Sequence, residues 1–288
     1  MVAGAAVGAL GLNALAVAPA AALAPPDATY GGGFLTAAAP LVGVRVSPGG
    51  DRIALEGEAI AHCAGTGPID ERLTLRTTLA TDGSFRGRVR RVHRVSAIES
   101  RTVWLSASGT VVDASRAIGL LRLVAFVQRR HRATVRCDSR IQHWEARSVS
   151  SLPAGPPVPL AGVSYYGATR QAGRYVPFPL ALHVSRDRAR VDAAVFRVYR
   201  RCRGVASGDV SNDTLPATIR ADGSFSVVQR YSQRFTDSIE SFTFRFAGRF
   251  ATLGATGTLR TTSILRDPRT HRVIGRCDSG TVAWAAVP

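Results

Sequence analysis

Apolar and polar residues alternate along much of the chain after residue 24, whereas helical periodicity is rare. In residues 53–63, IALEGEAIAHC, the odd positions carry Ile, Leu, Gly, Ala and Cys, and the even positions include two Glu and one His. Residues 242–246, FTFRF, alternate in the same way. Because a period of two places successive side chains on opposite faces of an extended chain, both segments are predicted to be half-buried β-strands, with Cys63 facing the core.

Turn signals separate these segments at the spacing of short strands. Further strand-like runs cover residues 41–46, 102–106, 120–127 and 281–285. Asp-Gly at residues 82–83 and 222–223 favours a hairpin with a two-residue type I′ turn, which needs positive φ at both central positions. About seven or eight short strands in each half are typical of an antiparallel sandwich or a small barrel. We expect an all-β fold and favour the β-sandwich.

The chain contains an internal duplication. The segment DGSF at residues 82–85 recurs at 222–225, and RCDS at 136–139 recurs at 276–279, both at an offset of 140. Two four-residue identities at one offset indicate a tandem repeat. We expect one β-domain in residues 25–147 and a second in residues 164–288. The proline-rich residues 148–163 between them are predicted to form an extended linker.

Residues 1–24 are apolar and uncharged, and they end in Ala22-Leu-Ala24, which fits a signal-peptide cleavage site. We expect cleavage near Ala24, a secreted or extracytoplasmic protein, and no stable membrane span in the mature chain. An N-terminal membrane anchor is the alternative, because about 20 apolar residues can span a bilayer. Alanine inserts weakly, which favours cleavage. No basic residue stands near Met1, so the true start could lie upstream.

The four cysteines fall as one pair in each copy, and four cysteines allow three pairings. Each ancestral copy had to fold with its own two cysteines, so we expect Cys63 to bond Cys137 and Cys202 to bond Cys277. Zinc sites use closely spaced ligand pairs, which this sequence lacks. Disulfides fit an exported protein. Each bond is expected to join the strand that ends at the first cysteine to the last strand of its copy.

The formal net charge of the 288-residue chain is +17, and all of its basic side chains other than His are Arg. The absence of Lys suggests a coding bias, but the charge is physically real. A basic surface attracts nucleic acid, acidic polysaccharide or an anionic cell envelope through salt-sensitive forces. We name one candidate anion-binding row, which comprises Arg197, Arg200, Arg201 and Arg203.

The duplicated RCDS box offers the residue types of a hydrolase triad. The candidate sets are His131, Asp138 and Ser139 in the first copy and His271, Asp278 and Ser279 in the second. Neighbouring residues of an extended chain point to opposite faces, so Asp and Ser in sequence could not easily serve one imidazole. Structural turn hydrogen bonds explain the box better.

Two further positions of the box bear on this interpretation. Gly280 suits a bend with positive φ, whereas the first copy has Arg140 at that position, so we expect the two bends to differ. Trp144 and Trp284 follow the cysteines by seven residues and are interpreted as core residues rather than ligand-binding ones.

Other enzyme signatures are missing from the sequence. There is no H-E-x-x-H motif, P-loop, G-x-G-x-x-G segment or G-x-S-x-G elbow. We therefore expect no enzymatic activity, no catalytic residue, no metal site and no cofactor.

The second copy resembles a secreted β-domain repeat of high-GC actinobacteria. The resemblance rests on Tyr166-Gly-Ala-Thr-Arg-Gln-Ala-Gly173, Cys202 after an Arg-rich strand, Asp222-Gly-Ser-Phe225 and Arg276-Cys-Asp-Ser-Gly-Thr-Val-Ala-Trp284. The first copy departs from the pattern, with Gly31-Gly-Gly-Phe34 after Tyr30. The resemblance implies export and an all-β fold, and it supplies no activity, ligand or catalytic residue.

Three functions are open at this point. The favoured one is an exported, non-enzymatic tandem β-domain protein that binds an anionic envelope polymer or another extracellular protein. The second is specific recognition of an anionic polymer, either nucleic acid or acidic polysaccharide, by aligned arginines. The third is a secreted hydrolase with an unrecognised site.

Overall fold

The computed structural model describes residues 25–33, 41–65, 67–130, 132–148, 159–172, 176–214, 216–235, 237–251 and 253–288. The expected signal peptide and most of the expected linker lie outside the described residues. No helix long and apolar enough to cross a membrane is found in the described part of the chain.

The first copy forms one antiparallel sheet of nine strands. These are β1 (Thr29–Gly33), β2 (Leu41–Val46), β3 (Arg52–Cys63), β4 (Ile69–Thr78), β5 (Ser84–Arg94), β6 (Glu99–Val111), β7 (Arg116–Arg129), β8 (Val135–Asp138) and β9 (Gln142–Arg147).

The second copy forms a sheet of ten strands with the same order. These are β10 (Ser164–Ala172), β11 (Pro177–Val184), β12 (Arg190–Arg203), β13 (Gly208–Asp213), β14 (Ala217–Thr218), β15 (Ser224–Arg234), β16 (Ile239–Ala251), β17 (Gly254–Arg266), β18 (Val273–Asp278) and β19 (Val282–Val287). The all-β expectation is confirmed.

Each sheet closes on itself through six strands. In the first copy the ring runs β3-β2-β1-β9-β7-β8 and returns to β3. The ring of the second copy runs β12-β11-β10-β19-β17-β18 and returns to β12. The remaining strands extend from β3 and β7, or from β12 and β17. A closed ring of six strands is the small-barrel form, the alternative to the favoured sandwich.

A disulfide lies at the narrowest pairing of each ring. Cys63 bonds Cys137 and Cys202 bonds Cys277, which is the expected pairing. The seam between β3 and β8 has only two residue pairs, and the one between β12 and β18 has three. Both bonds reach the penultimate strand of the copy, so the expectation of the last strand was wrong. The last strands, β9 and β19, pair elsewhere in the ring: β9 pairs with β1, and β19 pairs with β10.

The Asp-Gly dipeptides do not make type I′ hairpins. Gly83 and Gly223 have φ of 78° and 77°, whereas neither aspartate has positive φ. Asp82 Oδ1 instead accepts a hydrogen bond from the Ser84 N–H at 2.9 Å, and Asp222 accepts one from Ser224 at 3.0 Å. Each dipeptide is an Asx-stabilised corner, after which β5 and β15 pair with β6 and β16.

The tryptophans of the repeat are buried in the barrels, as expected. Trp144 lies 6.1 Å from the Phe85 ring, and Trp284 lies 6.2 Å from Phe225. The first core is otherwise mainly aliphatic, while the second contains a cluster of rings in which Phe196 stacks on Phe246 at 5.5 Å.

The two barrels pack against each other through β1 and β2 of the first and β10 and β11 of the second. Glycine permits the close approach, because a Cβ on Gly31 would lie 2.2 Å from the Gly167 carbonyl oxygen. The glycine segment that follows Tyr30 thus contributes Gly31 to the domain interface.

Candidate functional site

A buried arginine of the second barrel crosses the domain interface. The Arg197 side chain is 0% exposed and forms ion pairs with Glu56 and Glu58 of the first barrel. Ser211 donates a hydrogen bond to Glu58 Oε2 at 2.6 Å, and Arg197 Nε lies 3.4 Å from the Ser211 hydroxyl. Because a buried charge needs partners that replace its hydration, this cluster holds the two domains in one arrangement.

A cleft of about 1250 Å³ opens beside this interface. One wall comes from β4 and β5 of the first barrel, and the other from β12 and the RCDS box of the second. The half-exposed ring of Tyr199 also faces it. The arginines of the cleft are Arg72, Arg90, Arg91, Arg201 and Arg203.

The carboxylates of the cleft are neutralised by ion pairs. Arg72 donates to Asp209 Oδ1 at 3.0 Å and lies 3.6 Å from Glu56 Oε1. Arg260 donates to Asp278 Oδ1 at 3.1 Å. Within the described part of the chain, no ion pair forms to the four remaining arginines of the cleft, which are Arg90, Arg91, Arg201 and Arg203. The cleft therefore carries a net positive charge.

The predicted arginine row is divided by the alternation of β12. Arg200 points into the barrel, where its Nη1 donates to Glu240 at 2.6 Å and to Ser263 at 2.7 Å. Arg197 lies on the opposite face but is covered by the first barrel. Of the four residues of the predicted row, only Arg201 and Arg203 are exposed in the cleft. The four residues therefore do not form one anion-binding row, because adjacent strand positions face opposite sides.

Sequence reasoning missed the arginines that complete the cleft. Arg90 and Arg91 lie on β5 of the other copy, 110 or more positions before Arg201. The Arg-rich segment 86–94, RGRVRRVHR, was the available signal. Nothing in a linear pattern places it opposite β12, because that contact depends on how the two barrels dock.

Asp70 is an acidic group at the edge of the same interface. Burial, and then the negative charge of Glu58, raise the pKa of Asp70 from 3.8 to about 7, while Arg197 opposes this rise. Part of the Asp70 side chain remains exposed to water. Its protonation therefore changes the charge next to the domain contact near neutral pH.

The RCDS boxes have the same hydrogen bonds in both copies. Ser139 Oγ accepts from the Leu123 N–H at 2.8 Å, and Ser279 Oγ accepts from the Thr261 N–H at 2.9 Å. Asp138 accepts from the Arg140 N–H at 2.9 Å and Asp278 from the Gly280 N–H at 2.8 Å. The Asp bonds are the structural turn bonds that the sequence suggested, whereas each Ser accepts from β7 or β17 instead of from its own turn.

The bend after the box has positive φ in both copies, with 60° at Arg140 and 66° at Gly280. The expected difference between the two copies at this position is therefore wrong. The Asp carboxylate that accepts from the N–H of each residue maintains the same turn with either side chain.

The triad hypothesis finds no support in the second copy. Hydrogen bonds from Arg260 hold the pKa of Asp278 below its ordinary value, although burial opposes this. His271 precedes β18 and Ser279 follows it, and six extended residues span roughly 20 Å. His131 lies outside the described residues, so the first copy gives no corresponding geometry.

No family model, curated protein or solved structure matches this chain. No group of three or more His, Cys, Asp or Glu side chains in the described ranges could hold a metal ion.

Proposed function

We propose that this chain is a non-enzymatic binding protein whose interdomain cleft binds a stretch of anionic polymer. The observation that carries the proposal is the cleft itself, in which four arginines lack ion pairs while each carboxylate has one. Guanidinium groups donate paired hydrogen bonds to carboxylate, sulfate or phosphate, which makes such a set selective for oxyanions.

The placement of the arginines favours a ligand with several charges. Arg90 and Arg91 come from the first barrel, and Arg201 and Arg203 come from the second. A single small anion would engage one wall, whereas a polymer can contact both walls at once. The Tyr199 ring beside them, 40% exposed, offers a flat surface to a sugar or base. An acidic polysaccharide, a teichoic-type polymer and a nucleic acid all have this chemistry.

The proposed location is outside the cytoplasm. Two disulfides are typical of proteins that fold in an oxidising compartment. Secretion after cleavage near Ala24 would bring the cleft into contact with envelope polymers. The absence of enzymatic activity is also part of the proposal, and it fails if a purified sample hydrolyses ester, peptide or glycosidic substrates in a manner abolished by Ser139→Ala or Ser279→Ala.

The test compares two variants that lose the same charge. Arg201→Ser with Arg203→Ser removes half of the unpaired cleft arginines, and Arg186→Ser with Arg234→Ser removes two exposed arginines elsewhere. Binding of a teichoic-type polymer, heparin and single-stranded DNA is measured by calorimetry over a series of salt concentrations.

We expect the cleft variant to lose about tenfold or more in affinity and to lower the salt slope by about two, because each lost phosphate contact lowers it by about one. The control variant should retain nearly all of the affinity. Equal losses in both variants would mean that only the overall charge attracts the polymer, and the proposal would be wrong.

A further inference from the structure

The end of the β5–β6 hairpin exposes three aliphatic side chains to solvent. Val92, Val95 and Ile98 are 56%, 47% and 60% exposed. Val92 lies on β5 near its end, where Arg94 pairs with Ser100, and Val95 and Ile98 lie in the turn that leads to β6. Isolated exposed aliphatic residues are ordinary, but these three fall within seven positions at one hairpin end, and we refer to them together as the apolar patch.

The hairpin end is ordered by its own hydrogen bonds. Ser96 Oγ accepts from the N–H groups of Ile98 and Glu99 at 3.3 and 3.1 Å, and Arg94 donates to the Ala97 carbonyl at 3.1 Å. The N–H of Arg130, the residue after β7, donates to the Ile98 carbonyl at 2.9 Å. Hydrogen bonds thus fix the backbone of the turn, and the side chains of Val95 and Ile98 on it are exposed to solvent.

The surroundings of the patch are basic. Arg94, Arg130 and Arg132 are exposed around it. The carboxylate of nearby Glu99 already accepts hydrogen bonds from Arg101 Nε at 2.9 Å and from Arg129 Nε at 2.8 Å. Aliphatic side chains surrounded by arginines match a surface that is apolar in its interior and negatively charged outside, which is the surface of an anionic lipid bilayer.

We propose that the β5–β6 hairpin end docks the protein on anionic membrane surfaces by inserting Val92, Val95 and Ile98 among the lipid headgroups. This site is separate from the cleft, since it uses Arg94, Arg130 and Arg132 rather than the four unpaired cleft arginines. The equivalent turn of the second copy contains Asp237 and makes a poorer match to negative lipid.

The experiment measures sedimentation of the full chain with vesicles of phosphatidylglycerol and phosphatidylcholine in equal parts, and with phosphatidylcholine vesicles, at about 0.15 M salt. We expect binding to the anionic vesicles. Val95→Ser with Ile98→Ser should weaken it by about tenfold or more, since two aliphatic groups lose their burial. The control is Val228→Ser, which alters a 54% exposed valine on β15 and should leave binding unchanged.

Insertion is tested separately with Ile98→Trp and Val228→Trp. Anionic vesicles should shift the emission of the first variant to shorter wavelength and should leave the second unchanged. The proposal is overturned if the Val95→Ser and Ile98→Ser protein binds vesicles like the parent chain, which would indicate adsorption by overall charge. It is also overturned if the patch substitutions instead convert a dimer into a monomer in light scattering, which would assign the patch to a second copy of the chain.

Discussion

The two barrels share one fold but carry opposite charges at the same repeat position. Glu58 precedes Cys63 by five residues, and Arg197 precedes Cys202 by five residues. These equivalent side chains form an ion pair across the domain interface. The duplicated surfaces therefore diverged into complementary partners, while the disulfide, the Asp-Ser turn and the core Trp stayed the same.

The interiors also diverged within a common strand order. Gly57 of the first barrel leaves room for Leu121, since a Cβ there would lie 2.4 Å from Leu121 Cδ1. Its equivalent, Phe196, fills that space in the second barrel with a ring. Ala61 corresponds to Arg200, whose charge is balanced inside the barrel by Glu240. A closed ring of strands evidently tolerates either packing, provided that volume and charge are compensated.

The largest expected effect comes from removing the disulfides. Loops of 74 and 75 residues predict a loss of roughly 4 kcal/mol for each bond. The double variant Cys63→Ser with Cys137→Ser should loosen the β3–β8 pairing more than Cys202→Ser with Cys277→Ser loosens the β12–β18 pairing. The reason is that β3 and β8 share two residue pairs, whereas β12 and β18 share three. Hydrogen exchange of the β8 and β18 amides would measure this, and equal protection in the two variants would contradict it.

Breaking the central ion pair should have the next largest effect. Arg197→Ala leaves the largely buried Glu58 without its ion-pair partner and leaves Glu56 with Arg72 only, which costs about 3–5 kcal/mol. Thermal unfolding should show the loss, and small-angle scattering should show the barrels separating. Arg200→Ala is the matched control, because it unpairs Glu240 inside one barrel. That variant should lower the stability of the second barrel while the interdomain distance stays the same.

The raised pKa of Asp70 predicts that the free energy of unfolding depends on pH. The folded protein keeps the proton up to about pH 7, whereas the unfolded chain loses it near 3.8. The folded state therefore binds more protons in this interval, and the free energy of unfolding falls as pH rises from about 4 to about 7. Asp70→Asn should remove this slope and stabilise the protein at pH 8 by roughly 1 kcal/mol, a value reduced for solvent screening. Urea unfolding across this pH range tests it, and an unchanged slope would contradict it.

The smallest effect concerns the bend after the RCDS box. Arg140→Gly should stabilise the first copy by about 0.5 kcal/mol, since glycine relieves the strain of positive φ but adds freedom to the unfolded chain. Gly280→Ala should destabilise the second by about 1 kcal/mol, although space is open around that position. Melting temperatures of the two variants should move in opposite directions; a shift in the same direction would mean that the two bends are not equivalent.

Local patterns were sufficient for some features of the site and not for others. Alternation predicted the strand through residues 53–63, and its buried positions agree. Asp-Gly correctly marked a turn but gave the wrong turn type, because Asp82 accepts a hydrogen bond from Ser84 instead of adopting positive φ. The row of four arginines was also misjudged. Alternation along β12 by itself places Arg200 on the face opposite the other three arginines. The burial of Arg197 depends on the first barrel, and the pairing of Arg200 depends on Glu240, 40 positions away.

Four features could be predicted from the amino-acid sequence alone: the all-β class, the duplication, the cysteine pairing and the burial of both tryptophans. The fold class follows from short-range alternation, the duplication from identities at an offset of 140, and the cysteine pairing from the requirement that each copy fold alone. The burial of the tryptophans follows from the apolar character of the ring. Only the folded chain shows that the strands close into rings, that the disulfides lie at the narrowest strand pairings, and that β5 and β12 line one cleft. Those features depend on contacts between distant segments and between domains, and such contacts are set by packing and charge compensation that no local pattern encodes.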